Sequence, residues 1–599
     1  MIVNKKLIAF LLPATFYSLL TLPFTACNTS TSDVKGTGWK APDETNEKNS
    51  PVPVSAEVEA KGGKLYDQYC RTCHGETGLG DGAAGSGLDP KPANFHRGSV
   101  QGQSDGTLFY KISTGRGPMP SFKNSLSEEQ RWQLVAYIRK LPTVKGALKP
   151  PVALRPDIKV EHVMEVDSMA VRILQHPVTG DLWYTTFNGN VFRIKDLQGG
   201  LPKSERIFSV ADHGIPRLQG AVFLKNSLFL CGNVSTSDNK STRGRMVRYD
   251  LQPGQPPKMT VVFNTVDYGA NKTIFDHGWN ALAVSPDEKY IFANSGARTD
   301  HGEVQDNGGL YPGARDNNLT SKIFRVPTDA HDLILPDDRA KLVAEGYLYA
   351  EGIRNAYDLS FDKEGNLFAV SNSADYDFPE DMFWIRQGHH YGFPWVMGGL
   401  ENPQQYGDWD PSPEKDAFIP ETAHSWQVKY FHTDPSFPRI PPGTRFSPGV
   451  QNLGPDANEY RGHSGKILDG DSTGVTVSTF TAHCSPLALF FDTKNALSDD
   501  LKGDGFVIRY SLGSTSSMMG AFTSQGADLL HLKMSYDKAS DNYFVKTTRL
   551  IEGFKEPTDA ILVGNEVYII EYGGKGGNLW KISLPGRSSA LAKKVLHKP

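Results

Sequence analysis

This chain of 599 residues has no excess of positive charge. It has 63 Lys and Arg against 67 Asp and Glu, a net charge of −4, so its composition gives no general support for binding nucleic acid. Long apolar runs are also missing after the first 30 residues, and the mean hydropathy of −0.41 is typical of chains that fold in water. The length predicts more than one domain.

Cysteine is scarce, with only five residues, which weakens any zinc interpretation of the motif Cys70-Arg-Thr-Cys73-His74. A zinc half-site or a redox dithiol is the alternative reading of a lone Cys-x-x-Cys. A zinc site needs two more ligands at comparable spacing, and Cys27 and Cys231 are far away in the sequence. The motif therefore favours one covalent haem c, with thioether bonds from Cys70 and Cys73 and with His74 as an iron ligand.

A methionine in a rigid loop supplies the second axial ligand in this interpretation. Met119 lies in Gly-Arg-Gly-Pro-Met-Pro, 45 residues after His74. A thioether is a soft ligand for haem iron, and a His/Met pair raises the haem potential, which suits an electron acceptor. A methionine that simply fills a gap in the core is the alternative.

Two helices are predicted around these ligands. Residues 61–70 form a short helix in this reading, and Ser127 caps a second helix that ends before Pro142. Together with the haem and methionine loops, they resemble the monohaem cytochrome c family over residues 58–145. The resemblance implies that Trp132 packs near the haem, although an ordinary core position explains this residue equally well.

The N terminus has the pattern of an export signal. Two lysines precede an apolar run over residues 7–22, and small residues come directly before Cys27. This resembles a bacterial lipoprotein signal over residues 1–26, with lipidation at Cys27 and a disordered tether over residues 27–57. A retained transmembrane anchor is the alternative, although Pro13 interrupts it. Either reading predicts an exported protein held at the periplasmic side of a membrane or at the cell surface.

A couplet of short apolar strands recurs six times after residue 150. Each couplet is what two neighbouring strands of one propeller blade leave in a sequence, so a six-bladed all-β propeller is predicted over residues 150–599. The fold class is thus multidomain, with a small all-α cytochrome c domain before the propeller, and a plain β-sandwich pair as the alternative. The couplets are 181–184 with 191–194, 227–230 with 246–249, 289–292 with 322–326, 366–370 with 382–385, 505–509 with 528–532, and 566–570 with 579–582.

Polar residues gather in loops between these strands. His277 lies in the first cluster, Arg354 and the turn at residues 388–394 in the second, and His483 in the third. Their order resembles the soluble glucose/sorbosone dehydrogenase family, six-bladed propellers that hold pyrroloquinoline quinone (PQQ). The resemblance covers most of residues 160–585.

The resemblance implies a dehydrogenase for a sugar or a related alcohol or aldehyde. His277 matches the family's catalytic base, since a neutral imidazole accepts a hydroxyl proton near physiological pH. A turn-forming or metal-linked histidine is the alternative reading of this position. Arg354 and Asn355 match PQQ-binding positions, with Arg509 as a weaker candidate. Electrons from reduced PQQ would pass through the tethered haem to a respiratory acceptor.

Calcium is also implied by the resemblance. The family's Ca²⁺ bridges PQQ to backbone oxygens in the loop that matches Ser373 and Ala374, where this chain departs from the usual Gly-Pro. A further family Ca²⁺ site falls near Asp381 and the carbonyl of Tyr391.

The sequence alone does not decide between the dehydrogenase and two other functions, or whether two of the cysteines pair. A haem protein whose propeller only binds glycan or protein is the main alternative to the dehydrogenase, and a calcium-dependent lactonase is a third. Cys231 and Cys484 either form a disulfide or are two buried thiols.

Overall fold

The computed structural model divides the chain into two compact units, Met1–Leu148 and Lys149–Pro599. The predicted signal, Cys27 and the start of the predicted tether lie outside the described residues. No described helix is long and apolar enough to cross a membrane. The structure describes residues 39, 41–75, 77–78, 80, 92–96, 98–117, 119–141, 149–197, 202–273, 275–307, 309–421, 423, 426, 431–511, 522–573 and 576–587.

The first unit is helical where it is described. Ser55 accepts a hydrogen bond from the Val58 N–H and so caps the first helix, and Ser127 forms a capping box with Gln130 at the last one. The predicted second helix is therefore confirmed. The helices are a 3₁₀ turn (Asp43–Glu47), α1 (Ala56–Tyr69), α2 (Arg71–His74), α3 (Gly98–Gln101), α4 (Asp105–Thr114) and α5 (Glu128–Lys140).

Helices α1 and α5 cross at a glycine. A Cβ atom on Gly62 would lie 2.1 Å from the carbonyl oxygen of Gln133, so only glycine allows this close approach. Beside the crossing, the rings of Tyr66 and Tyr137 lie 5.3 Å apart, and Trp132 stacks on Phe109 at 4.2 Å. These aromatic residues form the apolar core of the unit.

The second unit contains six blade sheets. Blade 1 is β3 (Ala170–Gln175), β4 (Leu182–Thr186), β5 (Val191–Lys195) and β6 (Lys203–Phe208); blade 2 is β7 (Arg217–Leu224), β8 (Ser227–Ser235), β9 (Ser241–Asp250) and β10 (Lys258–Thr265), with β11 (Tyr268–Gly269) and β15 (Leu333–Leu335); blade 3 is β12 (Trp279–Val284), β13 (Tyr290–Ser295), β14 (Lys322–Pro327) and β16 (Leu348–Glu351); blade 4 is β17 (Ala356–Phe361), β18 (Leu367–Ser371) and β19 (Asp381–Ile385); blade 5 is β25 (Pro486–Phe491), β26 (Gly505–Arg509), β27 (Asp528–Asp537) and β28 (Asn542–Glu552), with β1 (Val152–Ala153) and β22 (Gln451–Pro455); blade 6 is β29 (Pro557–Val563), β30 (Glu566–Glu571), β31 (Gly577–Ser583) and β2 (Lys159–Val166).

Smaller elements lie between the blades. They are α6 (Val210–His213), α7 (Arg339–Ala344), a 3₁₀ turn (Pro403–Gln405), α8 (Gly470–Thr473), and two hairpins, β20 (Val396–Met397) with β21 (Leu400–Glu401) and β23 (Glu459–Arg461) with β24 (Ile467–Asp469).

The blades close into a ring. The innermost strands β3, β7, β12, β17, β25 and β29 each contact the next, and β29 returns to β3. Strand β2 pairs antiparallel with β31, so a strand from the start of the unit completes the blade at its end. All six predicted couplets are neighbouring strands of one blade, and in every blade except the three-stranded blade 4 they are its two middle strands. The six-bladed propeller is confirmed.

Charged residues cross the central channel. Arg172 on β3 lies 3.8 Å from Asp358 on β17 and 3.6 Å from Asp559 on β29, which links blades 1, 4 and 6. All three side chains have little exposure. Arg172 also donates from Nε to the Gln219 carbonyl on β7 at 2.8 Å.

The question of Cys231 and Cys484 is answered by the fold. Both are buried and free, Cys231 in β8 of blade 2 and Cys484 directly before β25 of blade 5. They are two buried thiols, and burial raises the pKa of the Cys484 thiol to about 12.

Candidate functional site

The predicted haem-binding residues lie at one helix junction. Cys70 caps the end of α1, and Cys73 and His74 follow in α2. The amides of Cys73 and His74 both donate to the Cys70 carbonyl, at 3.2 and 2.9 Å, which fixes the three side chains on one short turn. Cys70 also packs against the apolar core of the unit.

His74 is oriented for ligation by its other ring nitrogen. Its Nδ1 lies 3.0 Å from the Ala93 carbonyl oxygen. Since a carbonyl only accepts, Nδ1 must carry the proton, and the lone pair belongs to Nε2. The ring is buried and stacks on Phe95 at 4.5 Å, and burial lowers its pKa, so the imidazole is neutral.

Met119 lies in a closed loop. The backbones of Arg116 and Met119 form two hydrogen bonds, Arg116 N–H to the Met119 carbonyl at 2.9 Å and the reverse at 3.1 Å. The Met119 side chain is half-buried and packs against the same apolar core as Cys70. The residues present therefore fit a haem c bound by Cys70 and Cys73, with His74 and Met119 as axial ligands.

The propeller has its own polar centre at one end of the channel, which we call the mouth. It is formed by residues 276–280, 296–303, 354–355, 372–381 and 483. These segments come directly before inner strands or join the middle strands of blades 3 and 4. They bring His277, Arg354 and Asn355 together, as the resemblance implied.

His277 is a neutral imidazole in this setting. Its amide donates to the carbonyls of Phe275 and Ala297, both at 2.9 Å, which holds the residue at the entrance to β12. Burial lowers its pKa well below the ordinary value, and the positive charge of Arg354 adds to the effect. Its Nε2 is buried and has no hydrogen-bond partner among the described residues.

Gly296 explains how His277 and Asn355 come so close. A Cβ atom on Gly296 would lie 2.6 Å from Cβ of His277 and 2.8 Å from Oδ1 of Asn355, so glycine is required between them. A chain of buried amides passes through this contact. Asn294 donates to Asn280 at 2.8 Å, Asn280 to Asn355 at 2.7 Å, and Asn355 to Asn372 at 2.9 Å.

Arg354 is held on three sides. Its Nε and Nη2 donate to the carbonyl oxygen and to Oδ1 of Asp300, at 3.0 and 2.7 Å, and its Nη1 donates to the Asn372 carbonyl at 3.2 Å. A guanidinium has five N–H groups, and these bonds use three of them. Two N–H groups of this fixed, buried arginine therefore have no partner among the residues that the structure describes.

Arg509 occupies a different environment. It forms a bidentate ion pair with Asp528, at 2.9 and 2.6 Å, and both side chains are fully buried in blade 5. It also donates to Ser524 at 3.0 Å. We therefore assign Arg509 a structural part in blade 5, and its binding to PQQ stays an untested prediction.

The contacts of His483 with charged residues were not predicted from the sequence. The Nε2 atom of His483 lies 2.7 Å from Oδ1 of Asp377, whose other oxygen accepts from Arg461 Nε at 2.6 Å. Hydrogen bonding to Asp377 raises the pKa of His483 against the effect of burial. Nearby, burial raises the pKa of Glu380 to about 7, and its Oε2 accepts from the Ser373 amide at 2.6 Å.

The residues predicted for calcium are spread around this region. Oδ2 of Asp381 accepts from the Gly398 amide at 2.9 Å and Oδ1 from the Ser478 hydroxyl, while the Tyr391 hydroxyl donates to the Trp384 carbonyl at 2.6 Å. Ser373 and Ala374 are buried beside Glu380. Among the described side chains, no group of three or more His, Cys, Asp and Glu could hold a metal ion. The predicted calcium ligands are largely backbone carbonyl oxygens, so these side-chain contacts leave the calcium sites as untested predictions, and we derive no step through Ca²⁺.

An insertion between β19 of blade 4 and β25 of blade 5, residues 386–482, packs over part of the mouth. Tyr376 and His301 contact Phe431 of the insertion, with ring centroids 5.7 and 4.6 Å apart, and the Asp377 amide donates to the Phe418 carbonyl at 2.9 Å. These contacts belong to one apolar cluster. They explain why Asp300, His301 and Glu303 are almost fully buried although they lie in a loop.

Comparison with known proteins identifies the first unit. Residues 57–138 match the family model described as cytochrome C oxidase, cbb3-type, subunit III. The chain carries a cytochrome c domain. The predicted fusion of this domain to a six-bladed propeller is thereby confirmed.

Several solved structures are similar to the propeller at low identity. A glucose dehydrogenase-type oxidoreductase from Thermus thermophilus is 14% identical, covers 71% of this chain and 99% of its own, and has a TM-score of 0.42. The PQQ-bound aldose sugar dehydrogenase of Streptomyces coelicolor is also 14% identical, over 72% of this chain and 99% of its own, with a TM-score of 0.39. The soluble aldose sugar dehydrogenase of Escherichia coli is 14% identical, over 71% of this chain and 99% of its own, with a TM-score of 0.43.

Proposed function

We propose that this protein is a quinohaemoprotein dehydrogenase. It oxidises a sugar or a related alcohol or aldehyde at the mouth of the propeller and passes the electrons through its own haem c. The observation that carries the proposal is a neutral imidazole, His277, beside the fixed guanidinium of Arg354, on a chain that also holds Cys70, Cys73 and His74 on one short turn.

The mouth offers donors that suit a flat, acid-rich quinone. PQQ carries three carboxylates and two quinone oxygens, all of which are acceptors. The described structure leaves two further donors without a partner, namely Nδ2 of Asn372 and Oγ of Ser373, besides the two remaining N–H groups of Arg354. These residues fit the group, and Arg354 and Asn372 would hold it.

PQQ, when bound, supplies a two-electron acceptor for a substrate C–H bond. The chain's own contribution is proton transfer and orientation. His277, which is neutral because burial and Arg354 lower its pKa, takes the substrate hydroxyl proton. Asp300 holds the Arg354 guanidinium in place, and Gly296 lets His277 approach the amide chain of Asn355.

The cytochrome unit provides the exit for electrons. Haem c, when bound, supplies a one-electron acceptor, and a His/Met pair favours a high potential. Carriage on the same polypeptide gives the haem a high effective concentration at the propeller. We propose further that the chain is exported, anchored through a lipid on Cys27, and oxidised by a respiratory acceptor.

The test uses the full-length haem protein. Purified holoprotein is mixed with PQQ, Ca²⁺ and a panel of aldoses and primary alcohols, and the absorbance of the reduced haem is followed. Reduction that needs both PQQ and a substrate supports the proposal. Absence of reduction with every substrate, in protein whose haem is reduced normally by dithionite, favours a propeller that binds a glycan or protein without catalysis.

A further inference from the structure

A cavity lies in the propeller unit beside the mouth, with which it shares only Gly302. It has a volume of about 690 Å³, within the range of small-molecule sites. One wall comes from the loop between β13 and β14, from β16 and from the start of α7. The other wall comes from segments 390–395 and 438–444 of the insertion after blade 4.

Lys322 brings an ammonium group to this cavity. Its Nζ donates to the carbonyls of Asn317 and Thr320, both at 3.0 Å. An ammonium has three N–H groups, so one has no partner among the described residues. Burial lowers the pKa of Lys322, which shows that the charge is poorly solvated.

Arg339 and Glu351 form a fork at the cavity wall. Nε of Arg339 donates to both carboxylate oxygens of Glu351, at 2.9 and 3.0 Å, and Nη2 donates to Oε1 at 2.6 Å. Both carboxylate oxygens of Glu351 thereby accept hydrogen bonds, whereas the N–H groups of Arg339 Nη1 have no partner among the described residues. The Arg339 side chain is 60% exposed, so this donor is accessible.

His390 adds a neutral donor. Its Nδ1 accepts from the Gly392 amide at 3.1 Å, which requires the ring proton to be on Nε2. A neutral ring with its proton on Nε2 offers an N–H group to an acceptor.

The remaining acid of the cavity is already saturated. The oxygens of Asp316 accept from the Arg298 amide and from the hydroxyls of Thr299, Thr320 and Ser321, at 2.9 to 3.1 Å. The guanidinium of Arg315 is already in an ion pair with Asp434. The hydrogen-bonding capacity that the described lining retains is therefore mainly of the donor type, although Glu351, Asp316 and Asp337 offset part of the charge of Lys322.

The opposite wall is apolar. Pro438, Pro441 and Pro442 line it together with Phe393 and Trp395. Trp395 Nε1 donates to the Pro438 carbonyl at 2.7 Å, so its only polar group is used. Trp395 is buried and stacks on Phe446, so the exposed part of this wall comes mainly from the prolines. Aromatic and proline surfaces of this kind suit the C–H face of a sugar ring.

We propose that this cavity binds a monosaccharide-sized sugar acid. The carboxylate of the ligand pairs with Lys322, Arg339 and His390, and the carbons of its ring lie against Trp395 and the prolines. A neutral sugar would offer no carboxylate to the remaining N–H groups of Lys322 and Arg339. A bare carboxylate would leave the apolar wall uncovered. This site is independent of the dehydrogenase chemistry proposed above.

The test measures binding to the full-length haem protein by titration calorimetry, at pH 7 and low salt. D-Glucuronate is the probe, D-glucuronamide is its neutral counterpart, and acetate is the bare carboxylate. The variants are Lys322→Met and Arg339→Gln. The matched control is Arg193→Gln, because Arg193 also forms a two-nitrogen fork with a glutamate, Glu205, but on blade 1.

The expected result is that glucuronate binds at least 10-fold more tightly than glucuronamide and acetate. Arg339→Gln and Lys322→Met should each weaken glucuronate binding at least 10-fold, and Arg193→Gln should leave it unchanged. Arg339 is largely exposed, so this variant serves even if Lys322→Met fails to fold. Equal binding of glucuronate and glucuronamide, equal binding of acetate, or no binding of glucuronate to the wild-type protein would each overturn the proposal.

Discussion

Asp300 and Arg354 form a buried ion pair at the mouth, with Oδ1 and Nη2 2.7 Å apart, and both side chains are at most 5% exposed. The pair acts on His277 from two directions, since Arg354 lowers the pKa of the imidazole and Asp300 raises it. The proposed base is therefore neutral partly because the guanidinium is present.

Replacement of Arg354 should change the protonation of His277. In Arg354→Met the lowering effect is lost and Asp300 is left without its cation, so the pKa of His277 rises. The acid limb of the kcat/KM profile should then move to higher pH, because the protonated imidazole cannot accept the substrate proton. Arg354→Lys keeps the charge and should move the limb less. An acid limb that stays in place in Arg354→Met would contradict this role.

Removal of the proposed base should stop turnover without affecting the haem. We expect His277→Asn to lower the rate of substrate-dependent haem reduction about 10²- to 10⁴-fold, the usual range for a general base. The haem spectrum should be unchanged. His331→Asn is the control, since the His331 side chain is 73% exposed and lies in the propeller away from the mouth. A rate within threefold of wild type in His277→Asn would remove this residue as the base.

The free energy of unfolding should depend on pH through the carboxyl group of Glu380. Its folded-state pKa of about 7 lies above the ordinary value of 4.5 because the carboxyl is buried. The unfolded chain therefore releases this proton at lower pH than the folded one, and stability falls as pH rises from about 4.5 to about 7. Glu380→Gln should remove up to about 3 kcal/mol of that fall. Urea unfolding of both proteins at pH 5 and pH 8 checks this, and identical pH dependence would contradict it.

The central channel should depend on Arg172. Arg172→Met leaves Asp358 and Asp559 as buried carboxylates with no cation between them, and we expect a loss of about 3–5 kcal/mol. Asp559→Asn in the same chain should restore part of that loss, because it removes one of the two charges. Thermal unfolding of the propeller transition measures both effects. A double variant no more stable than Arg172→Met would contradict the proposed charge balance.

Met119 should determine the coordination and the reduction potential of the haem. In Met119→Leu the thioether ligand is lost, so the haem should lose six-coordinate low-spin absorption and its potential should fall. Met259→Leu is the control, since Met259 is a partly exposed methionine in the propeller. Redox titration and absorbance spectroscopy of both variants check this. An unchanged potential in Met119→Leu would show that another group is the sixth ligand.

The two strands that follow the innermost strand of each blade were predictable, but the innermost strands were not. Strands such as β4 and β5 are apolar runs separated by short turns, which is a local signal. Inner strands carry polar residues into the channel, as Arg172 does in β3, and these interrupt the apolar pattern. The partner of Arg172, Asp559, lies at the other end of the chain, so no local signal connects the two.

The same difference applies to the site. The grouping of Cys70, Cys73 and His74 on one turn was predictable because their spacing within a short segment is a local property. His483 and Asp377 were missed as a pair because 106 residues separate them, and only ring closure brings them together. Arg509 could have been paired with Asp528 from the sequence, since the two residues lie opposite each other in adjacent predicted strands.

The central claim is that oxidation at the mouth reduces the haem of the same molecule. The most direct measurement is the rate constant of haem reduction after rapid mixing of PQQ-loaded protein with a saturating substrate, over a 100-fold range of protein concentration. The account predicts a first-order rate constant that does not change with concentration and that is lost in His277→Asn. A rate constant that rises in proportion to protein concentration, or no reduction by any substrate, would contradict it.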